Sequence, residues 1–164
     1  MRREKNPRGR WQREGAFFLT AVLVAALDQL SKLWIRCNLA PGQSMPEEGL
    51  LRLTHVQNTG AAFGLFADHT FPLTIISLVG VAALLLYYLY PLGGGGLSMS
   101  ALGLLLGGSV GNLIDRLRLG YATDFIDVGF WPVFNLADSA IVVGAFILAY
   151  SFLFKAKKGE RPAG

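Results

Sequence analysis

The sequence predicts a mainly α-helical membrane protein, a four-transmembrane-helix bundle carrying a small extracytoplasmic β cradle. Three observations lead there. The 164 residues are 52% hydrophobic and 16% charged, with a mean hydropathy of +0.44, outside the usual range for a soluble domain of this size. Apolar runs of spanning length recur, at about 16–35, 72–90, 97–114 and 138–154. Basic residues gather at both ends, as they do when both tails stay in the cytoplasm and the number of spans is even.

Residues 1–15 form a basic tail with Arg2, Arg3, Lys5, Arg8, Arg10 and Arg13. The run that follows is longer than a signal-peptide core and lacks a small-residue cleavage site, so a retained span is expected. The turn 91–96 is short, uncharged and rich in glycine, which suits a cytoplasmic hairpin between the second and third spans. Segments 36–71 and 116–137 then lie outside. Each contains apolar and polar residues in alternation, at Leu51–Val56 and Tyr121–Ile126, the pattern of short strands. Residues 16–154 make one membrane domain, and the basic tail 155–164 returns to the cytoplasm.

Cys37 is the single cysteine, so neither an internal disulfide nor a redox pair is supported. His55 and His69 follow no ligand spacing and are expected to be surface or turn residues. No metal or nucleic-acid partner is expected, and the protein is expected to be a monomer.

The chemistry concentrates between Thr123 and Ala140, where Asp124, Asp127 and Asp138 stand at the start of an apolar helix. Carboxylates held close together where water is scarce can share a proton, which places an acid and a base in one site. An ordinary helix start explains part of the same stretch, with Asn135 as N-cap and Asp138 in the first turn. Depth separates the two readings. At ~1.5 Å per residue, Asp28 and Lys32 lie about 18 and 24 Å along the first span, Asn112 and Arg116 about 22 and 28 Å along the third, and Asp138 opens the fourth at its outer end. These polar groups therefore share one layer near the external surface, and charges in spans usually mark function.

Asp28 and Lys32 have i, i+4 spacing with the acid first, the order that favours a helix pair. Gly103, Gly107 and Gly111 form a small-residue packing stripe. Gly108 lies beside it beneath Asn112 and Arg116, where it is expected to leave room for a substrate chain or acyl group. Asn58, followed by Thr59-Gly60-Ala61-Ala62-Phe63-Gly64, offers a donor and an acceptor where a backbone can approach closely, as a substrate-positioning residue needs.

Asp28-Gln29-Leu30-Ser31-Lys32, the Asn58–Gly64 loop, Gly107 through Gly111-Asn112-Leu113-Ile114-Asp115-Arg116, Thr123-Asp124-Phe125 and Phe134-Asn135-Leu136-Ala137-Asp138 together resemble the motif set of lipoprotein signal peptidase, signal peptidase II. The resemblance covers about residues 16–154, and Ser109 and Ala122 depart from it. It implies an aspartyl endopeptidase of the bacterial inner membrane, with its active site on the extracytoplasmic side and no organic cofactor. Its substrates would be prolipoproteins carrying a diacylglyceryl cysteine, and membrane lipid would surround it. The family's catalytic pair falls on Asp124 and Asp138, and its other functional positions fall on Asp28, Lys32, Asn58, Asn112, Arg116 and Asn135. A proton-coupled transporter would instead want its acids at the midplane, and a non-catalytic assembly subunit would need no aspartate pair.

Overall fold

A computed structural model describes residues 7–60, 70–90 and 99–159. Four helices carry the chain: α1 (Pro7–Asn38), α2 (Thr70–Leu89), α3 (Met99–Leu119) and α4 (Leu136–Gly159). Three short strands, β1 (Ser44–Met45), β2 (Arg52–Asn58) and β3 (Ala122–Asp127), form one antiparallel sheet in the order β1-β2-β3. The Leu51–Val56 and Tyr121–Ile126 alternations thus mark β2 and β3, whereas the two-residue β1 is too short to carry a period. The loop 61–64, His69, the glycine turn 91–96 and residues 1–6 and 160–164 of the two basic tails lie outside the described residues.

The glycine stripe explains why α3 sits at the centre. A Cβ on Gly103 would lie 2.6 Å from the Phe17 carbonyl oxygen, and one on Gly107 would lie 2.5 Å from that of Ala21, so the α3 backbone rests directly on α1. Phe17, Ala21, Leu102 and Leu106 fill the seam beside the stripe. Gly144 of α4 gives the same close approach to Ala101 and Leu104 on the other side of α3. α3 runs to Leu119, one turn beyond the expected end of its span, and Gly120 closes it with φ 79° and an N–H bond to the Arg116 carbonyl of 3.1 Å.

Glu14–Asn38 and Phe71–Leu89 are long and apolar enough to cross a membrane, and Leu136–Ser151 is a shorter apolar helix. Polar groups interrupt the apolar character of α3 at Asn112, Asp115, Arg116 and Arg118. The outward faces of α1, α2 and α4 expose Leu19, Val22, Ile76, Val79, Phe146 and Leu153, an apolar exterior that water would not favour.

The sheet stands on the end of α1, where Ile35 and Leu39 pack against Phe125. Its register changes within β2: Leu53 pairs with Ile126, but Val56 pairs with Asp124, so Thr54 and His55 together oppose Phe125. This one-residue bulge reverses which face the rest of β2 presents. His55, expected at the surface or in a turn, is buried at the bulge, with Nδ1 2.8 Å from the Leu39 carbonyl oxygen.

Candidate active site

The polar site grows from the start of α4. Asn135 caps the helix by accepting the Asp138 N–H on Oδ1 at 2.9 Å, and Asp138 Oδ2 accepts the Asn135 N–H at 3.3 Å. This reciprocal pair satisfies two backbone donors that the first turn would otherwise leave open. A third donor, the Ala137 N–H, is taken by Asp28 Oδ1 from α1 at 3.0 Å. The helix-cap reading and the site reading therefore describe the same atoms.

Asp28 and Lys32 are fully buried and paired at 2.9 Å, and Lys32 Nζ also lies 3.3 Å from Asp115 Oδ2. Lys32 donates to Asn112 Oδ1 at 2.9 Å, which leaves the Asn112 amide to donate to Asp138 Oδ1 at 2.7 Å. Asn135 Nδ2 donates to the same Asn112 oxygen at 3.0 Å and to Asp124 Oδ1 at 2.6 Å. Asn58 accepts the Gly60 N–H at 3.0 Å, so its amide nitrogen faces Asp124 Oδ2 at 2.8 Å. Each asparagine is oriented by a group that can only donate, and every oxygen of Asp124 and Asp138 then meets an N–H.

Asp124, the third residue of β3, is 2% exposed. Burial, and after it the like charge on Asp138, push its carboxyl up to about 7, against the hydrogen bonds from Asn58 and Asn135 and the charge of Lys32. A carboxyl so placed can keep its proton near neutral pH.

A family model for signal peptidase (SPase) II matches residues 20–154. The chain belongs to the signal peptidase II family. It is 47% identical to the lipoprotein signal peptidase of Moorella thermoacetica, over 89% of this chain and 99% of that protein. It is 45% identical to the lipoprotein signal peptidase of Dehalococcoides mccartyi, over 87% of this chain and 92% of that one. Two solved bacterial membrane enzyme structures are similar in fold. One has a TM-score of 0.79 at 29% identity over 92% of this chain and 94% of that one, and the other 0.73 at 31% over 85% and 93%.

Of the residues singled out in this signal peptidase II chain, Asp28, Lys32, Asn58, Asn112, Asp124, Asn135 and Asp138 join one hydrogen-bonded network. Arg116 lies one turn beyond Asn112 and reaches Ser77 Oγ of α2 at 3.4 Å, with its Nε buried and without a partner among the described residues. Asp127 stands apart, held by Arg52 at 2.7 Å, Thr54 at 2.8 Å and the Gly129 N–H at 2.9 Å. The Gly129 bond first, then Thr54 and Arg52, keep its carboxyl below the usual carboxylate range.

Gly108 does not leave the room expected of it. The Ala137 carbonyl oxygen and the Ile141 side chain of α4 occupy the place of its missing Cβ, just as α1 fills the stripe at Gly103 and Gly107. Among the described residues, Gly103, Gly107 and Gly108 are each covered by a neighbouring helix. Gly108 instead lets α4 approach α3 closely enough for Asp138 to meet Asn112.

Asp115 was not anticipated by the charge pattern. Buried beside Lys32, it accepts the Thr123 N–H at 2.9 Å and the Gln29 amide at 3.1 Å, and it pairs with Arg36 at 3.4 Å. Arg36 also donates to Thr123 Oγ1 at 2.9 Å, so the residue before Asp124 is tied to both α1 and α3. The available signal was the stripe itself: the progression Gly103, Gly107, Gly111 continues to Asp115 on the face that meets α1.

Proposed function

We propose that this chain is an aspartyl endopeptidase, embedded in a bacterial membrane by four spans, that removes the signal peptides of diacylglyceryl-modified prolipoproteins. Cleavage falls N-terminal to the lipidated cysteine, on the extracytoplasmic side, and both chain ends are cytoplasmic. Membership of the signal peptidase II family supports the substrate class, and the relatives named lipoprotein signal peptidase support it further. The observation that carries the mechanism is the link from Asp138 through Asn112 and Asn135 to Asp124, whose proton is held to about 7.

In this reading Asp124 enters the reaction protonated and Asp138 ionised. Asp138 takes a proton from a water as the water oxygen bonds to the scissile carbonyl carbon, and Asp124 gives its proton to the carbonyl oxygen. The tetrahedral intermediate collapses when Asp138 passes its proton to the leaving nitrogen and the C–N bond breaks, while a hydroxyl proton returns to Asp124. Asn58, Asn112 and Asn135 hold the two carboxyls in register throughout, so little reorganisation accompanies the charge movement. Arg116, one turn outward, lies on the side from which a substrate backbone would approach.

The deciding experiment incubates the purified protein with a prolipoprotein carrying the diacylglyceryl cysteine and, in parallel, with its unlipidated form. Cleavage of the first and not the second is expected. Equal cleavage of both would remove the lipid requirement, and cleavage of neither would remove the peptidase reading.

A further inference from the structure

Beside Asp115, the outer halves of α1 and α3 border a cavity of about 310 Å³. That volume lies at the lower end of the range for small-molecule sites, ~300–1,000 Å³. None of Asp124, Asp138, Asn58, Asn112 or Asn135 lines it. Two guanidiniums line it, Arg36 from α1 and Arg118 from α3, together with the Asp115 carboxylate and the side chains of Leu30, Leu33 and Leu119.

The charges of this region do not cancel. Asp28 is matched by Lys32 and Asp115 by Arg36, which leaves Arg118 exposed and without an ion-pair or hydrogen-bond partner among the described residues. Arg36, which lines the cavity, makes both of its bonds among the described residues through Nη1, leaving its other donors uncommitted there. Two arginines with free donors across a gap match a phosphate, whose oxygens accept several charge-assisted bonds at once.

The apolar wall says what kind of phosphate. Leu30 and Leu33 precede Arg36 by one to two turns on α1 and are 63% and 52% exposed, so the leucines lie deeper than the cations. In the membrane orientation proposed above, Arg36 lies about 33 Å along α1 from Glu14 and Arg118 about 28 Å along α3 from Met99, at headgroup level for a ~30 Å hydrocarbon layer. Cations beside exposed leucines fit an amphiphile better than a free anion.

We propose that this groove between α1 and α3 binds one anionic phospholipid, with its phosphate between Arg36 and Arg118 and its acyl chains along Leu30 and Leu33. The site is separate from the one that takes the scissile peptide, although the proposal rests on the membrane orientation given to the chain. Because Arg36 and Asp115 also hold Thr123, the lipid would be seated against the support of β3.

Native mass spectrometry of the full chain in neutral detergent, titrated with phosphatidylglycerol or with phosphatidylcholine of the same acyl chains, tests this. One phosphatidylglycerol should bind at least about tenfold more tightly than phosphatidylcholine, as one charge-assisted contact allows. Arg118→Gln should erase that preference and Arg118→Lys keep most of it, while Arg52→Gln, which removes the same charge from the sheet, should leave it intact. Equal binding of the two lipids, or the same loss in Arg52→Gln as in Arg118→Gln, would overturn the site. Cleavage of lipidated prolipoprotein is followed in the same detergent, where Arg118→Gln should match the parent protein. Normal cleavage without lipid preference sinks the lipid site alone, whereas lipid preference without any cleavage sinks the peptidase reading alone.

Discussion

Asn58 reaches Asp124, Nδ2 to Oδ2 at 2.8 Å, because β2 carries one extra residue. Asp124 and Asp127 are three apart in β3 and so face opposite ways, whereas their partners Asn58 and Arg52 are six apart in β2 and would share a face in a regular strand. The bulge at Thr54 and His55 shifts the phase by one, so Arg52 can follow Asp127 on one face while Asn58 follows Asp124 on the other. The sheet thereby sorts two nearby aspartates into different environments.

That sorting predicts a contrast among the three aspartates. Asp124→Asn and Asp138→Asn should each lower turnover of a lipidated prolipoprotein by at least about a hundredfold, the lower range for loss of a general acid or base. The double variant should be little worse than either, because groups acting as a unit do not contribute additively. Asp127→Asn should keep most of the activity. Loss in Asp127→Asn with normal rates in Asp124→Asn would reverse the assignment.

Lys32 balances two buried carboxylates, Asp28 and Asp115, and orients Asn112 besides. Lys32→Ala should therefore cost about 3–5 kcal/mol of stability, the range for removing one partner of a buried ion pair. Thermal melting in detergent should show a marked drop together with lost activity. An unchanged melting temperature would mean that the pair contributes little to folding.

The helices, the two longer strands and most of the network were legible because each leaves a local trace: an apolar run, an alternation, or a polar residue where hydrocarbon is expected. Asp28 and Lys32 could be paired from spacing alone, and Asn135 with Asp138 reads as a cap. What was not legible depends on contact between distant segments. Gly108 looks in sequence like an opening, yet α4 fills it, and no pattern in α3 records what lies across from it. Asp115 stands next to Arg116 in sequence, and nothing local to α3 records its bonds to Lys32 and to the Thr123 N–H. The bulge is equally silent, since an extra residue in a strand shows only once its partner is known.

The glycine contacts can be tested one residue at a time. At Gly107 a methyl group would lie 2.5 Å from a backbone oxygen of α1, and neither backbone can give way without separating the helices. Gly107→Ala should destabilise the protein by about 1–3 kcal/mol, as overpacking does. Gly80 of α2 has nothing within 4 Å of its missing Cβ. Gly80→Ala should leave stability unchanged or raise it by up to ~1 kcal/mol, since alanine is the better helix former. Equal behaviour of the two variants would argue against a backbone contact at Gly107.

The carboxyl of Asp124, at about 7, makes pH the most direct probe of the proposed proton. If Asp124 must be protonated to act, kcat/KM should fall as pH rises through about 7, where the free enzyme loses that proton. The N–H of Asn58 stabilises the ionised form of Asp124, so it lowers the pKa, and removing it must raise the pKa. Asn58→Ala should therefore move the alkaline limb to higher pH by roughly one unit, since a hydrogen bond to a charged group contributes about 1.5 kcal/mol and one pKa unit corresponds to about 1.4. A structural role for Asn58 in turning the chain at Gly60 would act differently, lowering kcat/KM by the same factor at every pH. A limb that stays in place, or moves to lower pH, would show that Asp124 is not the group whose proton the reaction needs.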